Sequence, residues 1–97
     1  MLLWSKFKVS GHSMEPFIKN NSLVLTSGVP YLFKNPKIND IVAFKEDKDG
    51  IILIKRITKN EKDGYFVQGD NKSDSLDSRQ LGSISRGQII GKVIYKI

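Results

Sequence analysis

Short runs of β-branched and aromatic residues, punctuated by Asp-Gly pairs and never long enough for a substantial helix, constrain this chain more than any other feature. Segments 6–10, 22–26, 40–45, 51–58, 65–68 and 88–97 each read as a strand bounded by Gly, Asn, Asp or Pro. Lys48-Asp49-Gly50 and Lys62-Asp63-Gly64 put a residue pair suited to tight reversal directly before a strand, so consecutive antiparallel pairing is expected. In the last segment Ile89, Gly91, Val93, Tyr95 and Ile97 share one face while Lys92 and Lys96 take the other. That period of two predicts a half-buried strand. Helix is confined to a turn or two near residues 14–19 and 83–87. The expected fold is mostly β: a compact antiparallel sheet, barrel-like, with at most short helical turns.

A chain of 97 residues, 39% of them hydrophobic, can enclose one modest core, so residues 1–97 are expected to form a single domain. The longest unbroken apolar run, Ile51 to Ile54, is far short of the roughly 20 residues that cross a bilayer. Residues 1–5 make an apolar stub, which Ser5 and Lys6 interrupt before a signal-peptide core can form. Absent cysteine excludes disulfides, and His12 as the single histidine excludes a Cys/His zinc site, so no metal or cofactor is expected. The net charge of +6 comes from basic residues spread along the chain without a block. Such a spread reads as a solvated face.

Chemistry is concentrated in three places. Gly11-His12-Ser13-Met14-Glu15-Pro16 sets a glycine-flanked serine between the first two strands, where Ser13 is either an N-cap or a nucleophile. His12 is poorly placed to serve it, because adjacent side chains of an extended chain point to opposite sides. In Ile51-Ile52-Leu53-Ile54-Lys55-Arg56-Ile57, a period of two puts Lys55 on the face of Ile51, Leu53 and Ile57. A lysine there either snorkels from an edge strand or, desolvated to a lowered pKa, becomes a general base. Arg56 cannot deprotonate and faces the other way. Gly69-Asp70-Asn71-Lys72-Ser73-Asp74-Ser75-Leu76-Asp77-Ser78-Arg79 is a polar loop whose spacing fails as an EF-hand.

Taken together, Gly-x-Ser-Met-x-Pro at Gly11 to Pro16, Asp40-Ile41-Val42, Lys55-Arg56, and Gly69-Asp70-Asn71 with Ser75, Asp77-Ser78-Arg79 and Gly82 resemble the type I signal peptidase family in order and spacing. The resemblance extends from about Lys8 to Val93. It implies a Ser/Lys dyad serine protease on a small antiparallel β scaffold, with Ser13 as nucleophile and neutral Lys55 as base. Ser75 matches the serine that orients the lysine. Gly11, Met14, Pro16, Gly69, Asp70, Asn71, Asp77, Ser78 and Arg79 match the supporting boxes, and an Arg56–Asp70 ion pair is expected to lock two of them together. The implied partner is an extended segment of a precursor protein, a signal peptide or a propeptide cut after small residues. An anionic membrane surface is a further candidate partner, through residues 1–8 and Tyr31-Leu32-Phe33-Lys34; the alternative is that both segments fold back on the domain's own core.

This sequence departs from the family pattern at Gly11, where many bacterial members carry a serine that donates to the oxyanion. Its 97 residues include neither the N-terminal transmembrane helices nor the inserted second β domain that many members carry, and the short spacing between Lys55 and Gly69 is similar to that of the proteases that mature nickel superoxide dismutase. Membrane association is expected if a tether precedes the chain, and a cytoplasmic location otherwise. Two other readings compete. A self-cleaving repressor domain would need an Ala-Gly bond, whereas Ala43 is followed by Phe44. A basic β-barrel for single-stranded nucleic acid would use Tyr65, Phe66 and Tyr95 as stacking platforms; it leaves the order of the boxes unexplained, so no nucleic-acid partner is expected.

Overall fold

The computed structural model describes residues 4–71, 73 and 78–97. Six strands, β1 Trp4–Lys8, β2 Leu23–Ser27, β3 Ile41–Lys45, β4 Ile52–Glu61, β5 Gly64–Gln68 and β6 Ile89–Lys96, form one sheet in the order β1-β2-β6-β3-β4-β5. Every neighbouring pair is antiparallel. The mostly-β expectation holds, and each expected segment coincides with a strand to within a few residues.

Consecutive pairing holds for β1–β2, β3–β4 and β4–β5 but fails for β2–β3 and β5–β6, because β6 inserts between β2 and β3. The excursion from β2 through the short helix α1, Pro30–Phe33, keeps β2 and β3 apart, and the C-terminal strand closes the gap. Its fit depends on Gly91. A Cβ at that position would lie 2.8 Å from the carbonyl carbon and oxygen of Ser27, so only glycine lets the two backbones approach. Both ladders of β6 slip in register nearby, at Leu25/Thr26 and at Ala43/Phe44.

The two Asp-Gly segments reverse the chain by different means. Lys62 and Asp63 alone join Glu61 to its partner Gly64, and a Cβ on Gly64 would fall 2.5 Å from the Ile84 carbonyl oxygen. In the β3–β4 reversal Gly50 takes a positive φ of 70°. There the buried Glu46 carboxylate accepts the Lys48 and Asp49 N–H groups at 2.5 and 2.9 Å, so this acid builds a turn.

Both faces of the sheet are covered. Tyr31, Val42, Phe44, Ile57, Val67, Ile84 and Ile89 pack on one, and Val9, Met14, Ile18, Val24 and Ile41 on the other. That is why β3 is buried at Ile41, Val42, Ala43 and Phe44 in succession, as a strand enclosed on both sides should be. The single face expected along β6 is not kept: the ladder slips between Ala43 and Phe44, so Ile89 packs in the first cluster and Val93 against the second. Tyr95 and Ile97 are exposed, because the second cluster ends at Val93. The helical segments are α1, α2 at Ser78–Leu81 and a 3-10 turn at Arg86–Gln88; of these only the last lies near an expected helical turn. No described helix is long and apolar enough to cross a membrane.

Candidate active site

The loop between β1 and β2 is tied to itself before it is tied to anything else. Val9 N–H donates to Ser22 O and Asn21 N–H to Val9 O, both at 2.8 Å, which closes its neck. Gly11 adopts a φ of 101°, a conformation costly for side-chain-bearing residues, and its N–H donates to Asn20 Oδ1 at 2.8 Å. Glu15 accepts from His12 Nδ1 at 2.9 Å and from Asn20 N–H at 3.3 Å. The His12 contact, then the Asn20 N–H, holds its carboxyl below the usual range. Met14 and Ile18 sink into the second cluster, each 1% exposed, and pin the segment to the sheet. Residues 14–19 form turns with no regular helix, Ile18 N–H bonding back to Met14 O at 2.9 Å, so Ser13 caps nothing. Pro16 follows a cis peptide bond.

Lys55 comes to this loop from the middle of β4, paired with Val42 and flanked on its own face by Leu53 and Ile57. Its side chain is buried, 4% exposed, and Nζ lies 2.6 Å from Ser13 Oγ. Forty-two positions separate the two in sequence. His12 is turned to Glu15, exposed, and takes no part in that contact.

Arg56 points to the other face, and there the expected ion pair is present. Nε and Nη2 donate to Asp70 Oδ1 and Oδ2, each at 2.9 Å, and Nη1 donates to Asn39 O at 3.1 Å. The guanidinium also lies over the Phe17 ring, 5.3 Å from its centroid. Hydrogen bonding to Asp70 raises the Arg56 pKa further, burial opposing in part. Gly69 is buried. Asn71 reaches back to the serine loop, its N–H donating to Ser13 O at 2.8 Å and its Nδ2 to His12 O at 3.1 Å. Ser78, 4% exposed, accepts the Val67 N–H on Oγ at 2.8 Å and anchors α2, which also carries Arg79, against β5. Ser75 and Asp77 lie outside the described residues.

A groove of about 300 Å³ opens onto the Ser13–Lys55 contact, lined by Phe7 to Ser10 on one side and Ile51 to Ile54 on the other. It runs between the edge strand β1 and the start of β4. A wider depression of about 530 Å³ around Phe17, Arg56 and Lys92 contains neither Ser13 nor Lys55. Its cations are engaged: Arg56 by Asp70, Lys92 by Asp40 at 3.5 Å, and Lys96 by Phe17 O at 2.8 Å. Of the family-matched residues, the structure brings Gly11, Ser13, Met14, Lys55 and Asn71 together and sets Arg56 and Asp70 behind them. The sequence reading missed Asn20 and Glu15, which shape the loop, and the groove walls on β1 and β4. Only the Asn20-Asn21 turn signal hinted at the first of these. Among the described residues no group of acids and histidine is placed to hold a metal.

The chain matches the family model for signal peptidase, peptidase S26, over residues 1–59 and 58–97. It is 30% identical over 109 residues to the mitochondrial inner membrane protease subunit 1 of Homo sapiens, covering 91% of this chain and 66% of that protein. It is 34% identical over 94 residues to signal peptidase I of Buchnera aphidicola subsp. Baizongia pistaciae, covering 87% of this chain and 28% of that one. Against thylakoidal processing peptidase 1 of Arabidopsis thaliana the identity is 24% over 132 residues, with coverage of 87% and 39%. The chain thus spans just under two thirds of the human relative's length and a smaller part of the other two.

Proposed function

The chain belongs to the signal peptidase family, peptidase S26, and from that premise we propose that it is a serine endopeptidase that cuts precursor peptides with Ser13 as nucleophile and Lys55 as general base. One observation carries the reading: a lysine 4% exposed, among aliphatic neighbours, with Nζ 2.6 Å from a serine hydroxyl. Burial away from water penalises the ammonium and favours the neutral amine, the form that can take a proton.

Ser13 Oγ attacks the scissile carbonyl carbon while its proton passes to Lys55 Nζ, and the carbonyl oxygen becomes an oxyanion facing the Ser13 N–H. The lysine ammonium then protonates the departing amine nitrogen as the C–N bond breaks, leaving an acyl ester on Ser13. Water attacks that ester, gives its proton to Lys55, and the proton returns to Ser13 Oγ as the acid product leaves. Substrate enters as an extended strand along the groove, where β1 is hydrogen-bonded to β2 on one edge and offers the other. The family resemblance supports short side chains before the cut.

A membrane surface fits the same protein. Trp4, 61% exposed, pairs with Ser27, and the chain continues from there into α1 with Leu32 at 52% and Phe33 at 83%, whereas Tyr31 of the expected contact packs into the core instead. Two separate apolar segments therefore emerge at one end of the β1–β2 hairpin, with Lys34 and Lys37 close in sequence. Residues 1–3 lie outside the described residues.

Intact-mass analysis of a secretory precursor and a superoxide dismutase proform, each incubated with this protein, tests the activity. Ser13→Ala and Lys55→Ala should each abolish cleavage while remaining folded. Lys55→Arg should be equally inactive because guanidinium cannot accept the proton. Substantial turnover by any of the three refutes the dyad.

A further inference from the structure

Both peptide groups that flank Ser13 are held through their carbonyl oxygens. His12 O accepts from Asn71 Nδ2 and from Glu15 N–H, each at 3.1 Å, and Ser13 O accepts from Asn71 N–H at 2.8 Å. Ser13 N–H donates to no acceptor among the described residues. The peptide between His12 and Ser13 is trans, and in a planar trans peptide the C=O and N–H point in opposite directions. Fixing His12 O toward the Asn71 loop therefore fixes the direction of the Ser13 N–H, away from that loop.

We infer that Asn71 is a positioning residue for the oxyanion donor: by holding the carbonyls on either side of Ser13 it aims the Ser13 N–H at the reacting carbonyl. The inference rests on the Ser13–Lys55 reading above. Further bonds specify the clamp. Ser73 Oγ donates to Asn71 Oδ1 at 3.1 Å, which leaves the amide nitrogen, and not the oxygen, to face His12 O. Asp70, the preceding residue, is held by both prongs of Arg56. The polar loop thus delivers one donor to each of the two peptide groups flanking Ser13, the Asn71 side chain reaching His12 O across 59 positions of sequence. Rotation of that peptide would carry the N–H off target without moving Oγ or Nζ. The loss should therefore appear in the transition state and not in substrate binding.

The test uses the full chain, a quenched-fluorescent peptide with alanine before the scissile bond, and a peptide boronic acid of the same sequence, whose tetrahedral adduct places an oxygen where the oxyanion forms. Asn71→Ala should lower kcat about 10- to 100-fold with KM within about twofold, and weaken the boronate in proportion. Asn71→Asp, equal in size but presenting only acceptors to His12 O when ionised, should be at least as impaired. A packing role would leave it near wild type. An Asn71→Ala enzyme with wild-type kcat, an active Asn71→Asp enzyme, or a loss confined to KM overturns the inference. Should Asn71→Ala not fold, Ser73→Ala removes one exposed hydroxyl and decides the matter, with an about threefold lower kcat expected and an unchanged one refuting. Cleavage retained by Ser13→Ala overturns the dyad and this inference with it. Full loss there beside a wild-type Asn71→Ala kcat overturns the inference alone.

Discussion

Removing the Arg56–Asp70 pair should cost stability and displace the loop that meets the candidate nucleophile. Two parallel bonds of 2.9 Å join the groups, and the side chains are 26% and 21% exposed. At an effective dielectric of about 20, unit charges 4 Å apart attract by roughly 4 kcal/mol, a ceiling before desolvation and side-chain entropy are subtracted. Fully exposed pairs retain about 0.2–1 kcal/mol, so this sheltered bidentate pair should retain about 1–2 kcal/mol. For a chain of this size that corresponds to a fall in Tm of about 5–15 °C. The assay is a double-mutant cycle with Arg56→Ala, Asp70→Ala and both, followed by urea and thermal unfolding at low and moderate salt. The coupling energy should reach about 1–2 kcal/mol and shrink without vanishing as salt rises. Arg56→Lys should recover less than half of it, since an ammonium cannot reproduce the fork. A coupling below about 0.3 kcal/mol would mean that the two groups touch without locking the loop, and the reasoning would fail.

Three further expectations follow from packing, burial and exposure. Tyr31 is buried and donates to Asp40 at 2.7 Å, and burial first, then that bond, pushes its phenol well above the ordinary value of 10.0. Above that pH the unfolded chain ionises Tyr31 and the folded one does not, so stability should fall by about 1.4 kcal/mol per pH unit. Tyr31→Phe should lack this component between pH 10 and 11, and parallel urea-midpoint curves for the two proteins would contradict it. Gly64→Ala would drive a Cβ to 2.5 Å from the Ile84 carbonyl oxygen and disrupt the 2.8 Å bonds that Tyr65 exchanges with Ile84. A loss of about 1–3 kcal/mol is expected in thermal melts, and an unchanged Tm refutes the close approach. Sedimentation with anionic liposomes at low salt should pull down the wild-type chain and release it when Trp4 and Phe33 are both replaced by Ser. Equal binding by the variant would remove that end of the hairpin from any membrane contact.

Local pattern was enough to locate the strands, because alternation of buried and exposed side chains is set by the pleat and needs no knowledge of the neighbouring strand. It also put Lys55 on the face of Leu53 and Ile57, and with it the possibility of a dry amine near Ser13. The ion pair between Arg56 and Asp70 was legible from charge and family order. Placement of β6 between β2 and β3 was not, since it depends on the glycine contact at Ser27 and on the gap left by the α1 excursion, both products of long-range packing. The face that period two assigns to Ile89, Gly91, Val93, Tyr95 and Ile97 fails for the same reason: a register slip against β3 sends Ile89 to the first cluster and Val93 to the second, and Tyr95 and Ile97 lie beyond both. The approach of Asn71 to His12 and Ser13 is equally invisible in a loop of polar residues, where any amide could bond to water. Backbone carbonyls carry no sequence signature. Which of them a distant side chain reaches is fixed only when register, twist and core packing bring two loops to the same place.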